Sequence, residues 1–192
     1  MKLILASSSP RRKEILSKLN LNFDTVHPEI NESDYKYNKS ESPKKYAENL
    51  SRVKSLSIFK NHTEKIVIGA DTIVVLNKNI VLEKPKNKEE AYNTLMMLSG
   101  KTHKVITGVT IINKKHKYTF SETTLVKFFE LDKVDVLNYI ETGLPYDKAW
   151  SYGIQDSSVI FVEQINGCYE NVLGFPLSRF NYVCKNILNI VI

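Results

Sequence analysis

Cysteine is almost missing from this chain. Its 192 residues include only Cys168 and Cys184, with no CxxC pair and no Cys/His spacing. That leaves no basis for a disulfide framework or a structural zinc site, and both residues are expected to be reduced thiols. Histidine is scarce too, and His27, His62, His103 and His116 are too scattered to suggest a metal cluster or a catalytic triad. The chain contains no GxxxxGK[ST], GxGxxG or GxSxG, so P-loop, dinucleotide and hydrolase-elbow chemistry lack their hallmarks. No apolar run is long enough to cross a bilayer, and Leu3-Ile4-Leu5-Ala6 is too short for a signal-peptide core. A cytoplasmic location without a membrane partner is expected.

Arginine is the scarce cation. The net charge is +6, carried mainly by lysines spread along the chain, while Arg occurs only at Arg11, Arg12, Arg52 and Arg179. No aromatic-basic pattern accompanies the lysines, so no specific nucleic-acid partner is expected; a general attraction for anionic substrates remains. Two of the four arginines are adjacent, in Ser7-Ser8-Ser9-Pro10-Arg11-Arg12. This segment follows a buried strand and opens a helix with Pro10 at its first position. Hydroxyls, free helix-start N–H groups and two guanidinium forks on one spot suit phosphate. The competing reading is a Ser-Pro helix start with no ligand.

The apolar pattern predicts strands at 2–6, 23–27, 66–76, 80–82, 103–113, 117–131 and 158–165. Helices are expected from Ser9 (Ile15, Leu16, Leu19 inward), from Ser42 (Ala47, Leu50, Val53), from Asn87 (Ala91, Leu95, Leu98), from Asp132 (Val134, Leu137, Ile140) and over 176–188. Residues 29–42 and 166–175 read as loops, and Asn77-Lys78-Asn79 as a turn. Hairpins mixed with helices predict one α/β domain over 1–192, a mixed-sheet sandwich with two lobes and a central cleft.

Asp71 is a lone carboxylate inside the apolar run 66–76. Burying it requires cations, a metal or backbone donors. Next to a phosphate loop it could hold a divalent ion or activate water, against the alternative of a strand-end Asp capping backbone N–H groups. Lys84, Lys54, Glu32 and Gln155 each read as solvated side chains when taken singly, although Lys54 adjoins the inward Val53.

Taken in order, several motifs resemble the Maf family of nucleoside triphosphate pyrophosphatases. They are Leu3-Ile4-Leu5-Ala6-Ser7 with Ser9-Pro10-Arg11-Arg12, Gly69-Ala70-Asp71-Thr72, Glu83-Lys84-Pro85, Leu98-Ser99-Gly100 with His103, Thr107-Gly108-Val109, Asp147-Lys148-Ala149, Tyr152-Gly153-Ile154-Gln155 and Gly174-Phe175-Pro176-Leu177. The resemblance implies a fold similar to inosine triphosphate pyrophosphatase. It implies hydrolysis between the α- and β-phosphates to a nucleoside monophosphate and pyrophosphate, with a divalent cation, magnesium or manganese. By the same resemblance Asp71 is the catalytic acid, usually described as the general base. Ser7, Ser9, Arg12, Lys54 and Lys84 take phosphate-handling positions. Glu32 and Asp71 are hard ligands for the metal. Whether Asp71 acts chiefly as base or as ligand stays open.

Arg11, Thr72 and Gln155 match the positions that mark the dTTP/UTP branch, and a Gln amide can pair with a uracil or thymine edge. The expected activity is therefore a house-cleaning hydrolysis of dTTP, UTP and modified pyrimidine nucleotides. The alternatives are a 7-methyl-GTP or other triphosphate pyrophosphatase of the same family, or a non-catalytic nucleic-acid-binding or septum-regulating protein. The expected partner is a nucleoside triphosphate, with a homodimer left open.

Overall fold

A computed structural model of the chain describes residues 2–77, 80–147 and 151–190. Lys78 and Asn79 of the expected turn, and Lys148 and Ala149 of the Asp-Lys-Ala motif, lie outside the described residues.

β1 (Leu3–Ala6) and β3 (Ile66–Leu76) are buried at every position, as near-continuous apolar runs covered on both faces should be. β1 pairs in parallel with β2 (Phe23–Val26) on one side and with β3 on the other. From β3 onward the pairing is antiparallel, with β4 (Ile80–Leu82) and β5 (Thr102–Ile112) on β3, β6 (Lys117–Phe128) on β5 and β7 (Val162–Asn166) on β6. The result is a seven-stranded mixed sheet in the order β2-β1-β3-β5-β6-β7, with β4 attached to β3.

Helices cover both faces. Ile66, Ile68, Ala70 and Val74 join the large core with residues of α1 (Pro10–Ser17), α3 (Lys88–Leu98), α4 (Lys133–Glu141) and α6 (Leu177–Asn186). The alternate residues of β3 turn the other way. Val67 packs with Ile58, and Ile73 and Val75 pack with Ala47, so this face belongs to α2 (Pro43–Phe59). Asp71 and Thr72, being consecutive on a strand, thus leave the sheet on opposite faces.

α2 lies unusually close to the sheet because two strand positions have no side chain. A Cβ at Gly69 would stand 2.4 Å from the Ser51 carbonyl oxygen, and one at Gly108 would stand 2.3 Å from that of Ala47. The helix presents small groups in return: Ala47, Ser51 and Ser55 are fully buried, and the Ser51 and Thr110 hydroxyls are 2.8 Å apart.

Several expectations need correction. The buried face of α4 is Val136, Tyr139 and Ile140, whereas Val134 and Leu137 are exposed. Both sets fit a helical period, and packing selected the one carrying the tyrosine. Residues 158–165 do not form one strand. Ser157–Phe161 is a 3₁₀ turn capped by Asp156, with Val159 and Ile160 facing solvent, and only Val162–Asn166 joins the sheet. β6 likewise stops at Phe128 rather than 131. The two expected loops carry short helices, Glu32–Asp34 and α5 (Tyr169–Val172). On α2 the inward stripe runs through Lys54, while Val53 is only half-buried.

Candidate active site

β1 ends at Ala6 opposite Gly69, yet β3 continues past it to Leu76. Asp71 and Thr72 therefore stand just beyond the carboxyl end of β1. Crevices at the carboxyl ends of parallel strands are the usual ligand position in such sheets. A cleft of about 600 Å³ occupies this place, lined by the 7–12 segment, Lys54, Asp71, Thr72 and Lys84 among others.

The loop at its floor is built as the sequence suggested. Ser9 is the N-cap of α1 and Pro10 follows at the first turn. The Ser9 hydroxyl accepts from the Arg12 N–H at 3.4 Å, and the Ser7 hydroxyl accepts from the Ser9 N–H at 3.1 Å. Arg12 lies back over the loop and spends three of its five N–H donors there, one from each nitrogen. Nε donates to the Gly174 carbonyl at 2.9 Å, one terminal nitrogen to the Ser7 hydroxyl at 3.4 Å and the other to the Thr72 hydroxyl at 3.1 Å. Burial lowers the Arg12 pKa and the Asp71 charge pulls it back up; a guanidinium keeps its proton regardless.

On the opposite face of β3, Asp71 meets α2. The Lys54 ammonium lies 2.5 Å from Asp71 Oδ1 and 2.7 Å from Glu32 Oε1, bridging two carboxylates from different elements. Burial raises the Asp71 pKa, with Lys54 and then Arg12 opposing but not cancelling it. Glu32 is 66% exposed. Partial desolvation works against its charge as well, but Lys54, with Arg12 and His27 adding to it, brings its pKa below the usual value. Tyr46, two turns before Lys54 on α2, donates its hydroxyl to the Tyr35 carbonyl at 2.8 Å and so pins the loop that carries Glu32. Burial, and then the Asp71 and Glu32 charges, push the Tyr46 phenol up to about 12.

Nine of the ten residues singled out in the sequence meet in this cleft: Ser7, Ser9, Arg11, Arg12, Glu32, Lys54, Asp71, Thr72 and Lys84. Gln155 stands apart, exposed on the turn ahead of the 3₁₀ segment, and does not line the cleft. The structure adds His27, Pro28, Ile30, Leu173 and Gly174 to the walls. His27 and Pro28 follow β2 as Ser7 follows β1, so the rule about parallel strand ends would have found them. Leu173 and Gly174 come from the far end of the chain, and only the fold brings them here.

Chemically, the cleft combines a hydroxyl- and amide-rich helix start, three cationic side chains beside it and two carboxylates sharing one ammonium. Such a set grips a polyphosphate and can act on a water next to it.

Several known proteins are similar to this chain in sequence or in fold. A protein of Thermosipho melanesiensis named dTTP/UTP pyrophosphatase is 49% identical over 179 residues, covering 93% of this chain and 94% of that protein. One of Ruminiclostridium cellulolyticum with the same name is 42% identical over 187 residues, covering 96% and 95%. Among solved structures, a HAM1 protein from Coxiella burnetii is similar with a TM-score of 0.50 and 10% identity, covering 96% of this chain and 98% of that one, a likeness of fold alone. The family model described as Maf-like protein matches residues 2–187, and the chain belongs to the Maf family.

Proposed function

We propose that this protein hydrolyses the α–β phosphoanhydride of dTTP and UTP, releasing the nucleoside monophosphate and pyrophosphate. The observation that carries the reading is the meeting of Arg12, Lys54, Lys84 and Asp71 around the Ser7–Ser9 loop in one cleft. Relatives at 42–49% identity bearing the dTTP/UTP pyrophosphatase name point to the same substrates.

In this mechanism the 7–12 loop and its cations hold the triphosphate and stabilise the charge that develops on departing pyrophosphate. Asp71, ionised and raised in basicity by burial, orients a water and takes its proton as the water attacks phosphorus. Lys54 leaves the carboxylates it bridges in the resting site and turns its ammonium to the phosphate.

Magnesium or manganese fits the pair Glu32 and Asp71. The two carboxylates already share one cation, the Lys54 ammonium, and such metals accept one or two protein carboxylates, completing their shell with phosphate oxygens and water. Among the described residues no group of three or more His, Cys, Asp or Glu side chains converges, so the protein's share would be these two. When bound, the ion supplies charge neutralisation on the phosphate oxygens.

Arg11 and Thr72 border the same cleft and belong to base selection in this reading, whereas Gln155, the third residue of that set, stands outside the cleft on its exposed turn. A cytoplasmic setting follows from the substrates, and no described helix is long and apolar enough to cross a membrane.

The test is purified protein with magnesium or manganese, a panel of nucleoside triphosphates, and separate detection of monophosphate, pyrophosphate and orthophosphate. dTTP and UTP should give monophosphate and pyrophosphate, Asp71→Asn should lose about 10²- to 10⁴-fold in kcat, and chelation should stop turnover. Orthophosphate as the sole phosphate product, or full turnover by Asp71→Asn, would overturn the reading.

A further inference from the structure

Arg12 is held from behind by a file of buried polar groups that starts at Thr72 and runs on through Thr107 and Asn171, two residues the chemistry above does not use. Its terminal nitrogen donates to the Thr72 hydroxyl, which lies 3.0 Å from the hydroxyl of Thr107, its partner across the β3–β5 ladder. Thr107 donates in turn to the main-chain carbonyl of Asn171 at 3.1 Å. Donor counting fixes the direction. With the single Thr107 proton on Asn171, Thr107 must accept from Thr72, and Thr72 then accepts from Arg12. The reverse order would send the Thr72 proton to the Gly174 carbonyl at 3.4 Å, the longer contact.

The far end of the file is anchored firmly. The Asn171 side-chain amide donates to the Val105 carbonyl at 3.1 Å and to the Thr124 hydroxyl at 3.0 Å, tying α5 to β5 and β6. The Asn171 carbonyl also accepts from the Gly174 N–H at 3.0 Å, and the Gly174 carbonyl is the acceptor for Arg12 Nε. Asn171 therefore governs both branches that reach the guanidinium, one through Thr107 and Thr72 and one through Gly174. Thr107, Thr124 and Asn171 are all fully buried. In so dry a place each bond is directional and costly to leave unmade.

We propose that Thr107 and Asn171 are positioning residues that set the plane of the Arg12 fork, so that the phosphate grip is oriented from the opposite face of the sheet to Asp71. This rests on the reading of Arg12 as a phosphate ligand. Neither residue touches the cleft. Their effect passes through Arg12.

The test is a double-mutant cycle read by calorimetric binding of inorganic pyrophosphate in magnesium buffer, with dTTP kinetics alongside. Thr107→Val keeps the shape and removes the hydroxyl. It should weaken pyrophosphate binding by about tenfold, Thr107→Ser should restore it, and adding Thr107→Val to Arg12→Met should change nothing further. A purely structural threonine would lower the melting temperature and weaken binding equally in both backgrounds, and that result sinks the proposal. So does wild-type affinity in Thr107→Val. If Thr107→Val does not fold, Thr107→Ala against Thr107→Ser reads the same hydroxyl. Should Arg12→Met itself leave pyrophosphate binding unchanged, the assignment of Arg12 falls, whatever Thr107 does.

Discussion

Lys54 and Asp71 form a buried ion pair at 2.5 Å, joining the one charged residue of the central strand to the one charged residue on the inner stripe of α2. Neither charge would be tolerable in its place alone. Together they set the protonation of the proposed base, because Lys54 is the strongest influence holding the Asp71 pKa down against burial.

Lys54→Met removes that influence, so the Asp71 pKa rises further. Turnover that needs the ionised carboxylate is lost as pH falls through this pKa, and the acid limb of kcat/KM should move to higher pH by about one unit or more. Stability carries the matching sign. The folded state binds the Asp71 proton more tightly than the unfolded chain does, so this contribution is present at low pH and fades as pH rises through the folded pKa. The pH–rate profile and the pH dependence of thermal melting check both. An acid limb that stays put in Lys54→Met would assign it to another group.

The parts of this site visible in the sequence are those with a local cause. The 7–12 segment carries its hydroxyls, proline and arginines consecutively, and its Ser9 cap forms as written. Asp71 stands out as a charge in an apolar run. Apart from the family resemblance, the sequence marks Lys54 only as the neighbour of Val53; its inward turn depends on the close approach of α2 to Gly69 and Gly108, which no local pattern announces. Leu173 and Gly174 reach the cleft from across the chain. The misread face of α4 and the 3₁₀ turn at Ser157–Phe161 share one reason. Short apolar runs such as Val159-Ile160 and the Val134/Leu137 pair fit a period yet remain exposed, because burial is decided by the partner surface.

Arg12→Lys keeps the charge and loses the fork. The guanidinium serves Gly174, Ser7 and Thr72 with three separate nitrogens, whereas an ammonium at the end of a flexible stem is a single point. Losing charge-assisted hydrogen bonds worth about 1.5–3 kcal/mol predicts a fall of roughly 10- to 100-fold in kcat/KM for dTTP. Steady-state kinetics decide it, and a change within about twofold would show that charge alone suffices at this position.

Gly108→Ala tests how the fold reaches the chemistry. The added methyl would sit 2.3 Å from the Ala47 carbonyl oxygen and 2.6 Å from the Glu48 nitrogen, both backbone atoms that no rotamer change can move aside. Either α2 lifts or the strand bends, and overpacking of this kind costs about 1–3 kcal/mol or more. Lifting α2 also carries Lys54 away from Asp71, so activity should fall at temperatures well below the melting transition, and the acid limb should shift in the same direction as in Lys54→Met. Chemical denaturation together with the pH–rate profile distinguishes the outcomes. Lost stability with an unshifted acid limb would mean that the sheet yields and α2 keeps its place, so the glycine would serve packing without setting the Lys54–Asp71 distance.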